Sequence, residues 1–240
     1  MRSFLIALQF LTNIPIKIRE VKEEDIGKSL TCFPLVGAFI GLLLAISVTL
    51  FSPLPSLVIA VLVLIVSILV TGAIHLDGFA DTCDGFYGAK PKEEILRIMR
   101  DSHVGTMGIV GVFCLLALKI AILTSIPKLD LFGALILMIT FGRWSQVLAC
   151  SVSSYARDEG KAKYFIKYSG KKELVIATFF TLALFLLLLG AKGLMLFIVS
   201  SLVIFLFINY LKKRIDGMTG DTIGATNEVA EVLVILLLLF

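Results

Sequence analysis

The residues best suited to chemistry lie in one short string, His75-Leu76-Asp77-Gly78-Phe79-Ala80-Asp81-Thr82-Cys83-Asp84-Gly85. At about 100° per residue, Asp77, Asp81 and Asp84 fall at about 0°, 40° and 340°, so on a helix the three carboxylates share one face. Like charges that close repel unless a cation sits among them. Carboxylate oxygens suit hard cations, and Mg²⁺ commonly joins one or two carboxylates to substrate phosphates. The bland alternative is a solvated acidic patch at a helix end. His75 adds a candidate general base, although a lone histidine at a helix end is more often structural. Asp77, Asp81, Asp84 and His75 are therefore the candidate catalytic residues, and the three aspartates are also candidate metal ligands.

A second string runs Asp216-Gly217-Met218-Thr219-Gly220-Asp221-Thr222-Ile223-Gly224-Ala225-Thr226-Asn227-Glu228. Its glycines let backbone amides approach an anion. Thr219, Gly220, Thr222 and Asn227 are candidate substrate contacts. Asp221 and Glu228, seven residues apart, share a helix face and are candidates for the metal. A flexible turn before a capped helix is the competing reading. Between the two strings, Arg97 and Arg100 are spaced to clamp a phosphate. Asp101 either contacts substrate or caps the helix that follows. Arg143 lies deep in an apolar stretch and needs a carboxylate or a phosphate as partner, whereas Lys119 could snorkel to an interface. The basic stretch from Tyr155 to Lys172, with Arg157 at its start, either sets topology beside anionic lipid or holds an anionic nucleotide.

Helices in a bilayer are needed to position these groups. Apolar types make up 58% of the 240 residues and charged types only 17%, against roughly 25% charged in ordinary globular domains. Several uncharged stretches reach the roughly 20 residues that a membrane-crossing helix needs. Continuous apolar runs argue for helices and against a barrel. The expected fold is all-α: one integral membrane domain over 1–240, with six or seven transmembrane helices. The expected spans are about 31–52, 56–75, 104–126, 131–152, 174–190, 193–211 and 225–240, with a hinge at Gly190 to Gly193. A short interfacial helix is expected at about 3–13, with no cleavage site after it.

Charge sets the orientation. Segments 1–29, 76–103, 153–173 and 210–224 hold eighteen Lys and Arg, and the opposite connections hold only Lys128 and Lys192. The positive-inside rule puts the four basic segments, and with them the candidate site, in the cytoplasm. The net charge of +4 is explained by that topology and does not point to nucleic acid. Cys32, Cys83, Cys114 and Cys150 form no CxxC, so neither a disulfide nor a zinc site is expected. Gly37 and Gly41 make a GxxxG that serves either packing within the subunit or a homo-oligomer.

The strings HLDGFADTCDGFYGAK, IMRDSHVGTMG, YARDEG and TGDTIGATNE, in that order, resemble the cobalamin synthase family of adenosylcobinamide-GDP ribazoletransferases. The likeness runs from FLTNIP at 10–15 to the last helix. It implies two substrates, adenosylcobinamide-GDP and α-ribazole or its 5′-phosphate, with GMP as the second product and Mg²⁺ as cofactor. It also implies a location in the cell membrane. Two other classes remain to be weighed. Asp81-Thr82-Cys83-Asp84-Gly85 matches the first half of the CDP-alcohol phosphotransferase motif, but the second half is absent. A cation transporter would use Arg143, Glu228 and Glu231 along an ion path, yet the acidic clusters lie to one side and no repeated halves are visible.

Overall fold

The computed structural model describes residues 2–240, so Met1 of the expected 1–240 domain lies outside the described residues. The fold is all-helical; among the described residues the only β pairing is an isolated bridge between Tyr155 and Met218. In order, the helices are α1 (Arg2–Leu11), α2 (Glu23–Ser29), α3 (Phe33–Leu50), α4 (Ser56–Thr71), α5 (Ile74–Phe86) and α6 (Lys92–Ile98). They continue with α7 (Thr106–Ser125), α8 (Lys128–Ser151), α9 (Ala162–Tyr168), α10 (Lys171–Ile215) and α11 (Gly220–Leu237). Four stretches are long and apolar enough to cross a membrane, and α4 with α5 makes a fifth if the bent pair is one span. The protein is a polytopic membrane bundle.

α8 is the central post. Most of it is buried, and α3, α10 and α11 all pack on it. α3 comes closest through the GxxxG: a Cβ added at Gly41 would sit 2.6 Å from Ile136 Cα. Small residues let helix backbones meet where lipid supplies no hydrophobic drive. Gly37 and Gly41 thus serve packing inside the subunit.

α10 reverses at Gly190, whose φ of 58° and ψ of −135° are not helical. Phe185 and Phe197, one on each arm, meet edge-on with ring centroids 5.7 Å apart. The expected hinge therefore turns one 45-residue stretch into two antiparallel arms.

The carboxylate-bearing helix does not continue the second span straight on. Gly72 (φ 65°) and Ala73 (φ 57°) are both left-handed, and α5 leaves α4 at 95°. A left-handed alanine is costly, and the chain stabilises the break from outside. The last carbonyls of α4 lack helical partners. Asn13 N donates to Val70 O at 2.8 Å, and Asn13 Nδ2 to Leu69 O at 3.2 Å. The Phe-Leu-Thr-Asn-Ile-Pro segment therefore braces the turn that aims α5.

Candidate active site

α5 crosses the start of α11 at close range. A Cβ at Gly78 would meet Asp221 Cα at 2.8 Å, so only glycine admits this approach. The contact brings Asp77 and Asp221 onto one cavity of about 270 Å³, also lined by His75, Gln146, Arg157, Lys161 and Gly220. Asp81 lies beside them, within reach of the charges of Asp221, Asp77 and Arg157.

Arg157 reaches the cavity because its loop is zipped to the α10–α11 turn. Ala156 N donates to Met218 O and Met218 N to Ser154 O, each at 2.9 Å. Arg157 Nη2 then lies 2.9 Å from Asp221 Oδ2 and donates to Met99 O at 3.2 Å. Its buried Nε has no partner among the described residues. Burial pushes the Tyr155 phenol above its ordinary pKa.

The three aspartates of α5 do not share one environment. Asp84 turns away to α7 and accepts from Gly105 N at 2.7 Å and Gly108 N at 2.8 Å. The free amides and positive end of that helix attract a carboxylate. Asp84 lines a separate surface depression with Arg97, Asp101 and His103. There Arg97 forks onto Glu94 at 2.8 and 2.9 Å, and this hydrogen bond holds the Glu94 carboxyl below its ordinary value. Asp101 caps nothing in α7, whose N-cap is Gly105. It accepts instead from the His103 backbone amide at 3.0 Å, the main reason its pKa is lowered. Arg100 is exposed and is not brought to the cavity.

Deeper in the bundle is a closed ionic cluster. Lys119 Nζ donates to Glu228 Oε2 at 2.7 Å and Glu231 Oε2 at 2.6 Å. Arg143 Nη1 donates to Glu231 Oε1 at 3.1 Å and to Asn227 Oδ1. Lys119 is 4% exposed and Arg143 1%, so Lys119 does not snorkel. Two cations and two anions balance one another, with Arg143 Nε left without a partner among the described residues, and this neutrality removes the reason to read them as an ion path. Glu228 is therefore absent from the Asp77–Asp221 cavity. Asn227 is likewise consumed inside the cluster. Thr219 and Thr222 are fully buried and cap α11: Thr222 N donates to Thr219 Oγ1 at 3.2 Å, and Thr219 N to Thr222 Oγ1 at 2.8 Å.

The spans hide one residue that joins the two regions. Gln146 Nε2 donates to Asn227 Oδ1 at 3.0 Å and faces His75 Nε2 at 2.8 Å. The amide nitrogen is a donor, which makes that ring nitrogen an acceptor. Gln146 follows Arg143 by three residues, so both polar groups fall on one face of an otherwise apolar helix. That spacing was the available signal.

The donor set bears on a metal. Arg157 is the one guanidinium paired with this group, through Asp221, and the carboxylates of Asp77 and Asp81 have no hydrogen-bond partner among the described residues. The excess negative charge suits a divalent cation. Among the described residues, no three His, Cys, Asp or Glu side chains converge on one point. The fit is to an ion that one or two carboxylates share with substrate phosphates and water, as Mg²⁺ commonly is, and not to an all-protein cage.

The family profile for cobalamin-5-phosphate synthase matches residues 3–239. The adenosylcobinamide-GDP ribazoletransferase of Clostridium acetobutylicum is 40% identical over 231 residues, covering 95% of this chain and 92% of its own. The proteins of the same name from Geotalea daltonii and Clostridium novyi are 39% and 37% identical, covering 99% and 100% of this chain and 97% of each relative. No solved structure matches. A profile that spans nearly every residue, with relatives this similar end to end, places the chain in the cobalamin-5-phosphate synthase family.

Proposed function

We propose that this protein transfers the adenosylcobinamide-phosphate moiety of adenosylcobinamide-GDP to α-ribazole or its 5′-phosphate, releasing GMP. The observation that carries the reading is the meeting of Asp77 with Asp221 and Arg157 on one cavity, with Asp81 beside them, in a chain of this family.

A ribose hydroxyl of α-ribazole attacks the cobinamide-side phosphorus of the diphosphate. The new O–P bond forms as the bond to the GMP oxygen breaks. Such transfers depend mostly on positioning and charge neutralisation. Arg157, with spare guanidinium donors, binds the diphosphate oxygens. Lys161 adds a second positive charge at the same cavity. The hydroxyl proton passes to Asp77, which is exposed on the cavity wall. His75 is unsuited to that step, because its Nε2 is already held by Gln146. Asp81 and Asp221 are the residues that would hold Mg²⁺. When bound, the ion supplies neutralisation of the diphosphate charge.

The site opens to the cytoplasm of a cell-membrane protein, by the eighteen-to-two distribution of basic residues. Lys163→Cys should resist an impermeant thiol reagent in intact cells, and Lys192→Cys should react, on a background without the native cysteines. The reverse pattern overturns the orientation. The activity itself is tested by incubating purified protein with both substrates and Mg²⁺. The reading expects GMP and a corrinoid of the mass of the joined product; intact adenosylcobinamide-GDP contradicts it.

A further inference from the structure

The cavity that carries Asp77 and Asp221 has two unlike ends, and the transfer chemistry accounts for only one. The other end is aromatic. Phe10 of α1, Phe33 of α3 and Phe165 of α9 all line it. Their ring centroids lie 6.2 Å (Phe10–Phe33), 4.6 Å (Phe10–Phe165) and 5.4 Å (Phe33–Phe165) apart. Phe33 and Phe165 are only 2% and 4% exposed, so neighbouring side chains fix their rings. The rings pack on one another at ordinary aromatic distances, and the half-buried Phe10 has the most open surface of the three on this cavity.

We infer that this aromatic wall receives the base of the nucleoside acceptor, and that the ribose points from it toward Asp77 and Asp221. The inference rests on the ribazole-transfer reading and adds where the acceptor sits. α-Ribazole is a benzimidazole riboside: a flat bicyclic ring joined to a polar sugar. The cavity repeats that division, with rings at one end and carboxylates at the other. Its volume of about 270 Å³ holds a bicyclic base with its ribose and excludes a corrin ring. The corrinoid therefore stays at the mouth and presents its diphosphate to Asp81 and Arg157, while the smaller substrate fills the interior. Aromatic side chains bind base faces by stacking, with little regard to the hydrogen-bonding edge. The wall thus selects for ring size and flatness.

The test measures the two substrates separately. Binding of α-ribazole alone is read by equilibrium dialysis against purified protein in nanodiscs. Initial rates of GMP release then give a KM for each substrate. Phe165→Leu keeps the apolar volume and removes the ring. It should weaken α-ribazole binding and raise its KM by about tenfold, leaving the KM for adenosylcobinamide-GDP unchanged. Phe165→Tyr should restore α-ribazole binding. Phe10→Leu, at a half-buried position, should show the same selective loss and serves if Phe165→Leu does not assemble. Unchanged α-ribazole binding in a well-assembled variant overturns the inference, and so does an equal rise in both KM values. Wild-type protein that binds α-ribazole through Phe165 but releases no GMP would remove the transfer reading and keep the aromatic site. Wild-type turnover with a Phe165→Leu protein of normal α-ribazole affinity would do the opposite.

Discussion

Two groups of charged side chains lie along the same stretch of this bundle, and they differ in balance. The inner cluster pairs Lys119 and Arg143 with Glu228 and Glu231, all at most 5% exposed. The outer group sets Asp77 and Asp221 against Arg157 on a cavity, with Asp81 beside them. Membrane depth marks the inner residues as candidates too, because ionisable groups there are costly and rare. The structure sets them apart from the site. A closed, neutral cluster has no remaining capacity to bind or move charge. An open group with excess negative charge has both. Charge balance and access separate the two where membrane depth alone does not.

The largest effect should come from unbalancing the inner cluster. Lys119→Met leaves two buried carboxylates facing only Arg143. Breaking a buried pair by removing one partner typically costs about 3–5 kcal/mol. Assembled protein should fall sharply on size-exclusion chromatography in detergent. Adding Glu228→Gln in the same chain restores neutrality and should recover much of the yield. No recovery in the double variant would mean that the cluster does more than neutralise itself.

Asp81→Asn should do the reverse: yield and thermal midpoint hold, and turnover falls by about 100-fold or more, the usual scale for losing a charge that acts on the transition state. Raised Mg²⁺ should recover part of the rate. A large loss of assembly would move Asp81 from the outer group to the structural one.

Asp84 sharpens the contrast, since it belongs to the same helix but caps α7. Gly105 and Gly108 donate to different oxygens of Asp84, and an asparagine keeps only one acceptor, so Asp84→Asn should cost about 1–2 kcal/mol. Turnover should fall far less than for Asp81→Asn. Equal losses in initial-rate assays would place Asp84 back with the metal group.

The smallest effect belongs to Asp101, which is exposed and held by His103. Its folded pKa is depressed, so its contribution is complete above the ordinary carboxylate range and fades as pH falls through the folded value. Asp101→Asn at pH 7 should leave the thermal midpoint and turnover near wild type. A selective loss of activity would assign it to substrate.

Much of this was legible from apolar runs and their breakers. The expected spans at 31–52, 104–126 and 131–152 correspond to Phe33–Leu50, Thr106–Ser125 and Lys128–Ser151. The reversal near Gly190 carried a glycine signal. The last helix begins at Gly220, five residues before the expected 225, because Thr219 and Thr222 cap it. Other features had no local signature. The sharp turn at Gly72–Ala73 sits inside a continuous apolar run, and its brace, Asn13, is far away in sequence. Asp84 finds its amides 21 and 24 residues on. Nothing in the spacing of Tyr155 and Met218 announces the bridge that carries Arg157 to Asp221. Periodicity reports which face is buried, whereas partners supplied by another helix become visible only in three dimensions.

The most direct measurement compares wild type, Asp81→Asn and Lys119→Met/Glu228→Gln at equal amounts of assembled protein. Each is given adenosylcobinamide-GDP, α-ribazole and limiting Mg²⁺, and GMP release is followed with the corrinoid product identified by mass. Full transfer by wild type, near-wild-type transfer by the neutralised inner variant and almost none by Asp81→Asn are expected. Full activity in Asp81→Asn, or none in a well-assembled inner variant, would contradict this.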